Sequence, residues 1–376
     1  LPLKLWRPKK EEKYREGIRL SSSALSSLPK GSAEVPKIII KDSQIPPIET
    51  KTETIAKSEP ESKNQTIPEN PKAFFTPRKQ IKIPVARFGN KKSNVGVLIT
   101  AGLDGDEYAG IESAYQLIDE FEKKTDKKWR NKIHLTIIPV VNISGFQSGM
   151  SLNPEENKFP KFVIPGKTDG TSTDRLMNWL YESHISRAKL WIDLHGGAVN
   201  EDLYPFISFY AIHSPVLSSL YCDLYTKFGK QEIIIYEKKC SWQLPTYLSH
   251  RNIGYILSEA GQRGQRDNAS IQLHKRRVHI ILNTAIKYFT FQKTTSSVLF
   301  KDRYQHISIV HSSKTGLWKP FVNVGQRFKE SEVLGMLFSY DRRIIASIKS
   351  DSEGMLLWRK NSIYVSKGEE LGGYTT

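Results

Sequence analysis

Apolar positions along the chain alternate between two spacings. The run VGVLIT (95–100) is short, uncharged and unbroken, as a strand buried on both faces requires. Directly after it, EYAGIESAYQLIDEFEKK (107–124) sets Ile111, Ala114, Tyr115, Ile118 and Phe121 three or four residues apart, the stripe of an amphipathic helix. IHLTIIPVV (133–141) predicts a second buried strand, DRLMNWLYESHISR (174–187) a helix and LWIDL (190–194) a third strand. FISFYAI (206–212), the helical SPVLSSLYCDLYTKF (214–228) and GYILSEAG (254–261) continue the alternation, and ASIQLHKRRVHIILNTAIKYF (269–289) closes it with a long amphipathic helix. Strands alternating with helices predict an α/β sheet covered on both faces.

The two ends of the chain break this pattern. Residues 1–82 are rich in Pro, Glu, Lys, Ser and Thr and carry few aromatics, so they bury too little apolar surface to offset their ordering entropy and read as a disordered linker or tail. Within them the three isoleucines at 38–40, with polar flanks, read as part of that linker. Residues 293–376 hold short β-like runs separated by Gly, Ser and Lys, and VNVGQRFKESEVLG resembles VSKGEELG as though one hairpin unit recurs. A small all-β barrel or sandwich is expected there. No lysine stands at the hairpin tip in SYDRRIIAS, which argues against a biotinyl or lipoyl carrier. The expected organisation is therefore a linker (1–82), an α/β domain (83–292) and a β domain (293–376).

Composition narrows the function classes. With 38% hydrophobic residues in 376, the apolar share is low for a chain packed throughout, in keeping with an unpacked N-terminal stretch. Lys and Arg outnumber Asp and Glu by 56 to 39, a formal charge of +17 that permits attraction to nucleic acid, anionic lipid or an acidic wall polymer. No basic, aromatic strand pair or recognition helix accompanies that charge, so no nucleic-acid partner is expected. No apolar run approaches the ~20 residues of a membrane-spanning helix, so no transmembrane segment is expected. Two cysteines, Cys222 and Cys240, exclude a disulfide scaffold and a Cys-built zinc finger, and leave open one bridge or two thiols. The opening on Leu1 reads as a processed or truncated form, and with the linker and the charge it favours an exported or periplasmic location slightly over a cytoplasmic one.

Ligand sites of open α/β sheets lie beyond the carboxyl ends of the strands. Three of the expected strand ends carry chemistry. VGVLIT runs into AGLDGDEYAG, which holds Asp104 and Glu107; LWIDL runs into HGG, which holds His195; and GYILS runs into EAGQRGQRD, which holds Glu259. Taken singly, a Gly-Asp-Glu turn is an ordinary acidic helix start, a His after a strand an ordinary loop residue, and a lone Glu a surface acid. Taken together, two carboxylates and an imidazole suit a three-ligand zinc site with an open position, and Glu259 suits the general base beside it.

In order and spacing these motifs resemble the succinylglutamate desuccinylase/aspartoacylase family, relatives of the zinc carboxypeptidases, from about Val95 to the C-terminus. AGLDGDEYAG resembles that family's zinc turn, IDLHGG the turn of its second histidine ligand, SEAG the strand end of its general base, and PVVNISGFQSG the strand and loop leading into its substrate segment. The resemblance implies a zinc-carboxypeptidase-like mixed sheet flanked by helices, Zn2+ on Asp104, Glu107 and His195, and Glu259 as catalytic base. Asp104 stands where the family usually has His, which makes the site more negative while keeping an oxygen ligand. MSLNPEENKFPKFVIPG (150–166) is similar to a family segment, x-Arg-x-Asn-Pro-x-Asp-Gly-Lys-Asp-Leu-Asn-Arg-x-Phe-Pro-Gly, with Asn153, Pro154, Lys158, Pro165 and Gly166 in place. Ser151 replaces an Arg that stabilises the oxyanion, and Phe159–Phe162 (FPKF) replaces Asp-Leu-Asn-Arg, so the arginine clamp on a substrate carboxylate is lost.

Lys161 and Arg263 are the expected substrate-binding cations, and Arg266 reads as a surface residue. The activity expected is zinc-dependent hydrolysis of an amide bond, by a deacylase or carboxypeptidase-like enzyme acting on an acyl-amino acid or peptide, cell-wall peptides included. The alternative is an impaired family member that serves as a binding or scaffold protein. Retention of Glu107, His195 and Glu259 together supports the enzyme; the changes at Ser151 and 159–162 support the alternative.

Overall fold

A computed structural model describes residues 81–376, apart from 124–129, 211–213, 230–232, 238–242 and 292–305. The expected linker and its isoleucine run, all but its last two residues, lie outside the described residues. So do Cys240 and the expected break after residue 292.

The strands of the α/β part are β1 (Ala86–Gly89), β2 (Gly96–Ala101), β3 (His134–Ile138), β4 (Leu190–His195), the short β5 (Glu201–Leu203), β6 (Phe206–Tyr210), β7 (Ile233–Glu237) and β8 (Gly254–Glu259), with β2, β3, β4, β6 and β8 formed by the apolar runs. All but β5 join one sheet in the order β1-β3-β2-β4-β8-β6-β7. β3, β2, β4 and β8 run parallel, β6 is antiparallel to β8, and β1 is antiparallel to β3, so the sheet is mixed. The helices are α1 (Tyr108–Lys123), α2 (Ile143–Ser148), α3 (Ser172–Ser183), α4 (Pro215–Phe228), α5 (Gln243–Ser249) and α6 (Asn268–Phe291). Local chemistry sets their starts: Thr171 and Asp174 form a reciprocal capping box on α3, and Ser214 caps α4 ahead of Pro215. None of the helices among the described residues is long and apolar enough to cross a membrane.

Strand alternation divides the core in two. Val97, Ile99, Leu190, Ile192, Leu194 and Ile256 pack with α1, α4 and α6, whereas Leu98, Trp191, Tyr255 and Leu257 pack with α3 and α5. On the second face, Asp193, His195 and Glu259 share the parity of Trp191 and Tyr255. The chain passes from β2 to β3 on one side and later to β4 on the other, so the strand order reverses at β2/β4, the crevice where open sheets bind ligands.

The C-terminal part folds as β9 (Ile307–His311), β10 (Gly316–Pro320), β11 (Arg327–Phe328), β12 (Val333–Phe338), β13 (Ile344–Lys349), β14 (Gly354–Lys360), β15 (Tyr364–Val365) and β16 (Glu370–Thr375). They make two antiparallel sheets, β13-β12-β10-β15 and β11-β14-β16-β9. Side chains of both sheets share small apolar clusters, such as Trp318, Leu337 and Ile348 with Leu371. The expected all-β region is thus present as paired sheets. One feature lay beyond the periodicity: β5, from the α/β part, adds to β14 with Asp202 opposite Arg359 and Glu201 opposite Lys360. Periodicity also passed over β1 and β7, which sit at the two sheet edges.

Candidate active site

Three adjacent strand ends, those of β2, β4 and β8, bring the site together. Asp104 and Glu107 lie in the turn between β2 and α1; His195 ends β4, and Glu259, directly opposite it in register, ends β8. The turn is held from below. Gly105 donates its N–H to the Ser151 carbonyl at 3.3 Å, and a Cβ there would lie 2.2 Å from the Phe146 nitrogen, so only glycine allows α2 to approach so closely. The Glu259 strand end is clamped from α6. Fully buried Arg277 donates through Nη1 to the carbonyls of Glu259 (2.9 Å) and Phe206 (3.1 Å) and to Ser258 Oγ (3.1 Å), while His274 Nε2 meets the Ala260 carbonyl at 3.1 Å.

Asp104, Glu107 and His195 are all buried, and one donor atom from each lies within 4.8 Å of the others. His195 Nδ1 is 2.9 Å from Glu107 Oε2 and 3.6 Å from Asp104 Oδ2. The Gly196 N–H also donates to Glu107 Oε2, at 3.0 Å. Behind the ring, His195 Nε2 faces Asp193 Oδ2 at 3.1 Å, and Asp193 accepts from Tyr255 Oη (3.0 Å) and Thr100 Oγ1 (2.6 Å); Trp191 Nε1 in turn donates to Thr100. A carboxylate so anchored keeps a proton on Nε2 and turns Nδ1 toward Asp104 and Glu107, the orientation a metal-ligating histidine needs. Asp193→Asn is accordingly expected to lower affinity for a divalent ion by about 10–100-fold, checked by competition with a chromophoric chelator.

Charge in the pocket is unevenly held. Burial opposes ionisation of Asp104, but the Lys161 ammonium 2.5 Å from its Oδ2, with His195, outweighs burial and holds the carboxyl far below its usual range. Burial likewise opposes the charged imidazole of His195, yet Glu107 and Asp193 raise it well above its ordinary value. Burial raises Glu107, with His195 opposing, and pushes Glu259 up to about 7 against His195 and Lys161. Glu201 on β5, which the motif reading missed, is pushed up to about 8, first by desolvation and then by Glu259. Its signal in the sequence was only its place six residues after His195. Two buried oxygens, Asp104 Oδ1 and Glu259 Oε2, have no hydrogen-bond partner among the described residues. Buried carboxylate oxygens in that state are stabilised by a cation, and an O, O, N donor set suits Zn2+.

These shifts set a pH dependence for the metal-free protein. Glu259 and Glu201 bind protons more tightly folded than unfolded, where their ordinary value is 4.5, so their contribution to stability is full below about pH 4.5 and is lost as pH rises through about 7 and 8. His195, raised as well, is lost in the same direction. The melting temperature of chelator-treated protein is expected to fall between pH 5 and pH 8, and to recover in Glu201→Gln at the upper end.

The other expected residues divide. Lys161, on the 3-10 turn Pro160–Phe162, reaches the site through Asp104. Arg263, with 53% of its side chain exposed, donates from Nε to Asp202 Oδ1 at 2.5 Å, and Arg359 holds the other oxygen at 3.0 Å. Arg263 therefore holds β5, the strand of Glu201, from the loop after β8, while Arg359 holds it from the C-terminal sheet. Arg266 lies on the surface, 3.9 Å from Glu112. Ser151 donates from Oγ to Asp106 Oδ1 at 2.6 Å, tying its loop to the Gly-Asp-Glu turn. Phe159 and Phe162 stand side by side, ring centroids 5.8 Å apart, with Phe162 56% exposed.

Known proteins share this arrangement of chain. Residues 94–284 match the succinylglutamate desuccinylase/aspartoacylase catalytic domain. An N-alpha-acetyl-L-2,4-diaminobutyric acid deacetylase of Halomonas elongata is 20% identical over 278 residues, covering 73% of this chain and 80% of that one. The product-bound ectoine utilization protein EutE (DoeB) of Ruegeria pomeroyi superimposes with a TM-score of 0.64 at 18% identity, covering 79% and 89% of the two chains. A succinylglutamate desuccinylase of Silicibacter sp. TM1040 gives 0.60 at 17% identity over the same shares.

Proposed function

We propose, from the premise that this chain belongs to the succinylglutamate desuccinylase/aspartoacylase family, in which the relatives above include a deacetylase and a desuccinylase, that it is a zinc-dependent hydrolase of an amide bond in an acyl-amino acid or peptide. The observation that carries this reading is the convergence of Asp104, Glu107 and His195 beside a fourth buried acid, Glu259, with Asp104 Oδ1 and Glu259 Oε2 both lacking a protein partner. Asp104, Glu107 and His195 would hold the ion. Bound there, zinc supplies Lewis acidity and lowers the pKa of a water.

The remaining work belongs to the chain. Glu259, poised near neutrality by burial, accepts a proton from the attacking water and returns it to the departing amine. Asp193 keeps the His195 ring in one tautomer and orientation. Lys161 supplies positive charge where acyl oxygen or a substrate carboxylate arrives, as a point charge in place of a bidentate clamp. Phe159 and Phe162 give the pocket mouth an apolar wall, which suits a larger and less anionic group than a short dicarboxylic acyl chain. A cell-wall peptide is the substrate of that kind that the net charge of +17 also favours. We read Arg263 as acting on that mouth indirectly, through Asp202 and β5.

One observation favours the second reading, a binding protein without turnover: the Ser151 hydroxyl is committed to Asp106, so no oxyanion donor comes from the position where the family pattern has Arg. Metal analysis of chelator-free protein, followed by release of free amine from a panel of N-acyl amino acids and muropeptides, separates the two. Zinc with turnover supports the hydrolase. Zinc with no turnover across the panel supports the binding protein, and protein that takes up no zinc refutes the metal reading.

A further inference from the structure

Lys161 already neutralises the carboxylate that a divalent ion needs. Its ammonium lies 2.5 Å from Asp104 Oδ2, the same oxygen that stands 3.6 Å from His195 Nδ1. The pair is closed on one side and open on the other: the Asp104 side chain is 2% exposed, that of Lys161 19%. The lysine stem leaves the site through a surface turn, with its ammonium 5.4 Å from the Phe159 ring centroid and 5.6 Å from that of Phe162. An ammonium and a divalent ion repel each other strongly on one buried oxygen, because little water is present to screen them. The same lack of screening makes Asp104, Glu107 and Glu259 costly neighbours when no cation is among them.

We propose that Lys161 is a built-in competitor for the metal, occupying Asp104 in the metal-free protein and giving way outward along the Phe159 and Phe162 rings when the ion binds. The inference deepens the metal reading above and rests on it. It makes Lys161 a positioning residue with two seats. On Asp104 it keeps the carboxylate cluster folded without metal, and the two rings, already within cation–π reach of it there, keep hold of the ammonium as it moves outward. The site consequently binds its ion more weakly than the three donors alone would, and it exchanges metal without losing its fold.

The test uses the full chain, stripped with chelator and titrated with zinc chloride against a chromophoric competitor. Lys161→Gln keeps a hydrogen-bond donor for Asp104 without the charge, and Lys161→Arg keeps the charge. Zinc affinity is expected to rise at least about tenfold in Lys161→Gln and to stay at or below wild type in Lys161→Arg. The metal-free melting temperature of Lys161→Gln is expected to fall below wild type, and saturating zinc is expected to close that gap. Far-UV circular dichroism verifies that each variant is folded. If Lys161→Gln fails to fold, the charge-keeping Lys161→Arg together with Lys161→Met decides on the same two readouts. Equal affinity in wild type and the neutral variant overturns the inference and leaves the metal reading standing. Weaker affinity in the neutral variant also overturns it, since Lys161 would then support the ligands. Failure of every form to bind zinc overturns both.

Discussion

Glu259→Gln is expected to lower the rate of amide hydrolysis by about 10²–10⁴-fold, the range that loss of a positioned acid–base group produces, while zinc content stays at the wild-type level. The substitution is nearly isosteric. It leaves the Arg277 clamp intact, because that clamp grips the backbone carbonyl of residue 259 and not its side chain. It removes only the carboxylate proposed to accept and return a proton. The pH profile adds a second check. A base pushed up to about 7 must be ionised to work, so kcat/KM is expected to climb with pH through that region in the wild type. In Glu259→Gln the residual rate is expected to lose that limb. A variant that retains wild-type turnover would transfer the role to Glu201, the other raised carboxylate at the same end of the sheet.

His195→Ala is expected to abolish zinc retention, taking the metal content after dialysis from about one ion per chain to background. The loss exceeds the roughly 10–100-fold expected of Asp193→Asn, because a donor atom disappears instead of merely losing its orientation. The same change strips Asp193 Oδ2 and Glu107 Oε2 of their shared cationic partner. Removing one member of a buried ion pair costs about 3–5 kcal/mol, so the metal-free variant is expected to unfold at clearly lower urea than wild type. Mass spectrometric metal analysis and urea titration measure the two effects separately. Metal content that survives in both His195→Ala and His195→Ala/Asp104→Ala would place the ion elsewhere.

The elements most legible in the chain are those whose signal is local. VGVLIT, IHLTIIPVV, LWIDL and GYILS became β2, β3, β4 and β8 because an unbroken apolar run has no low-energy place except between two layers of helices. Three of these runs, VGVLIT, LWIDL and GYILS, also announced where chemistry would sit, since they lead into Asp104 and Glu107, His195 and Glu259. Asp104, Glu107, His195 and Glu259 were therefore readable as candidates, and the parallel register of β4 and β8 sets the last two opposite one another. Edge strands were harder. β1 and the three-residue β5 carry little apolar periodicity of their own and exist because a neighbouring strand offers them hydrogen bonds.

The pairing of charges was not legible in the same way. Arg263 follows Glu259 by four residues, yet its guanidinium turns to Asp202; Lys161 lies 57 positions from Asp104 and meets it at 2.5 Å. Arg277 looked like one more basic residue on an amphipathic helix and is a fully buried clamp on the strand end of Glu259. Hydrophobic spacing is read from neighbours along the chain, so one strand or helix announces itself and the residues at its ends. Which ammonium meets which carboxylate depends on the close approach of segments far apart in sequence, in a medium too poor in water to screen them, and that is settled only when the sheet has closed around them.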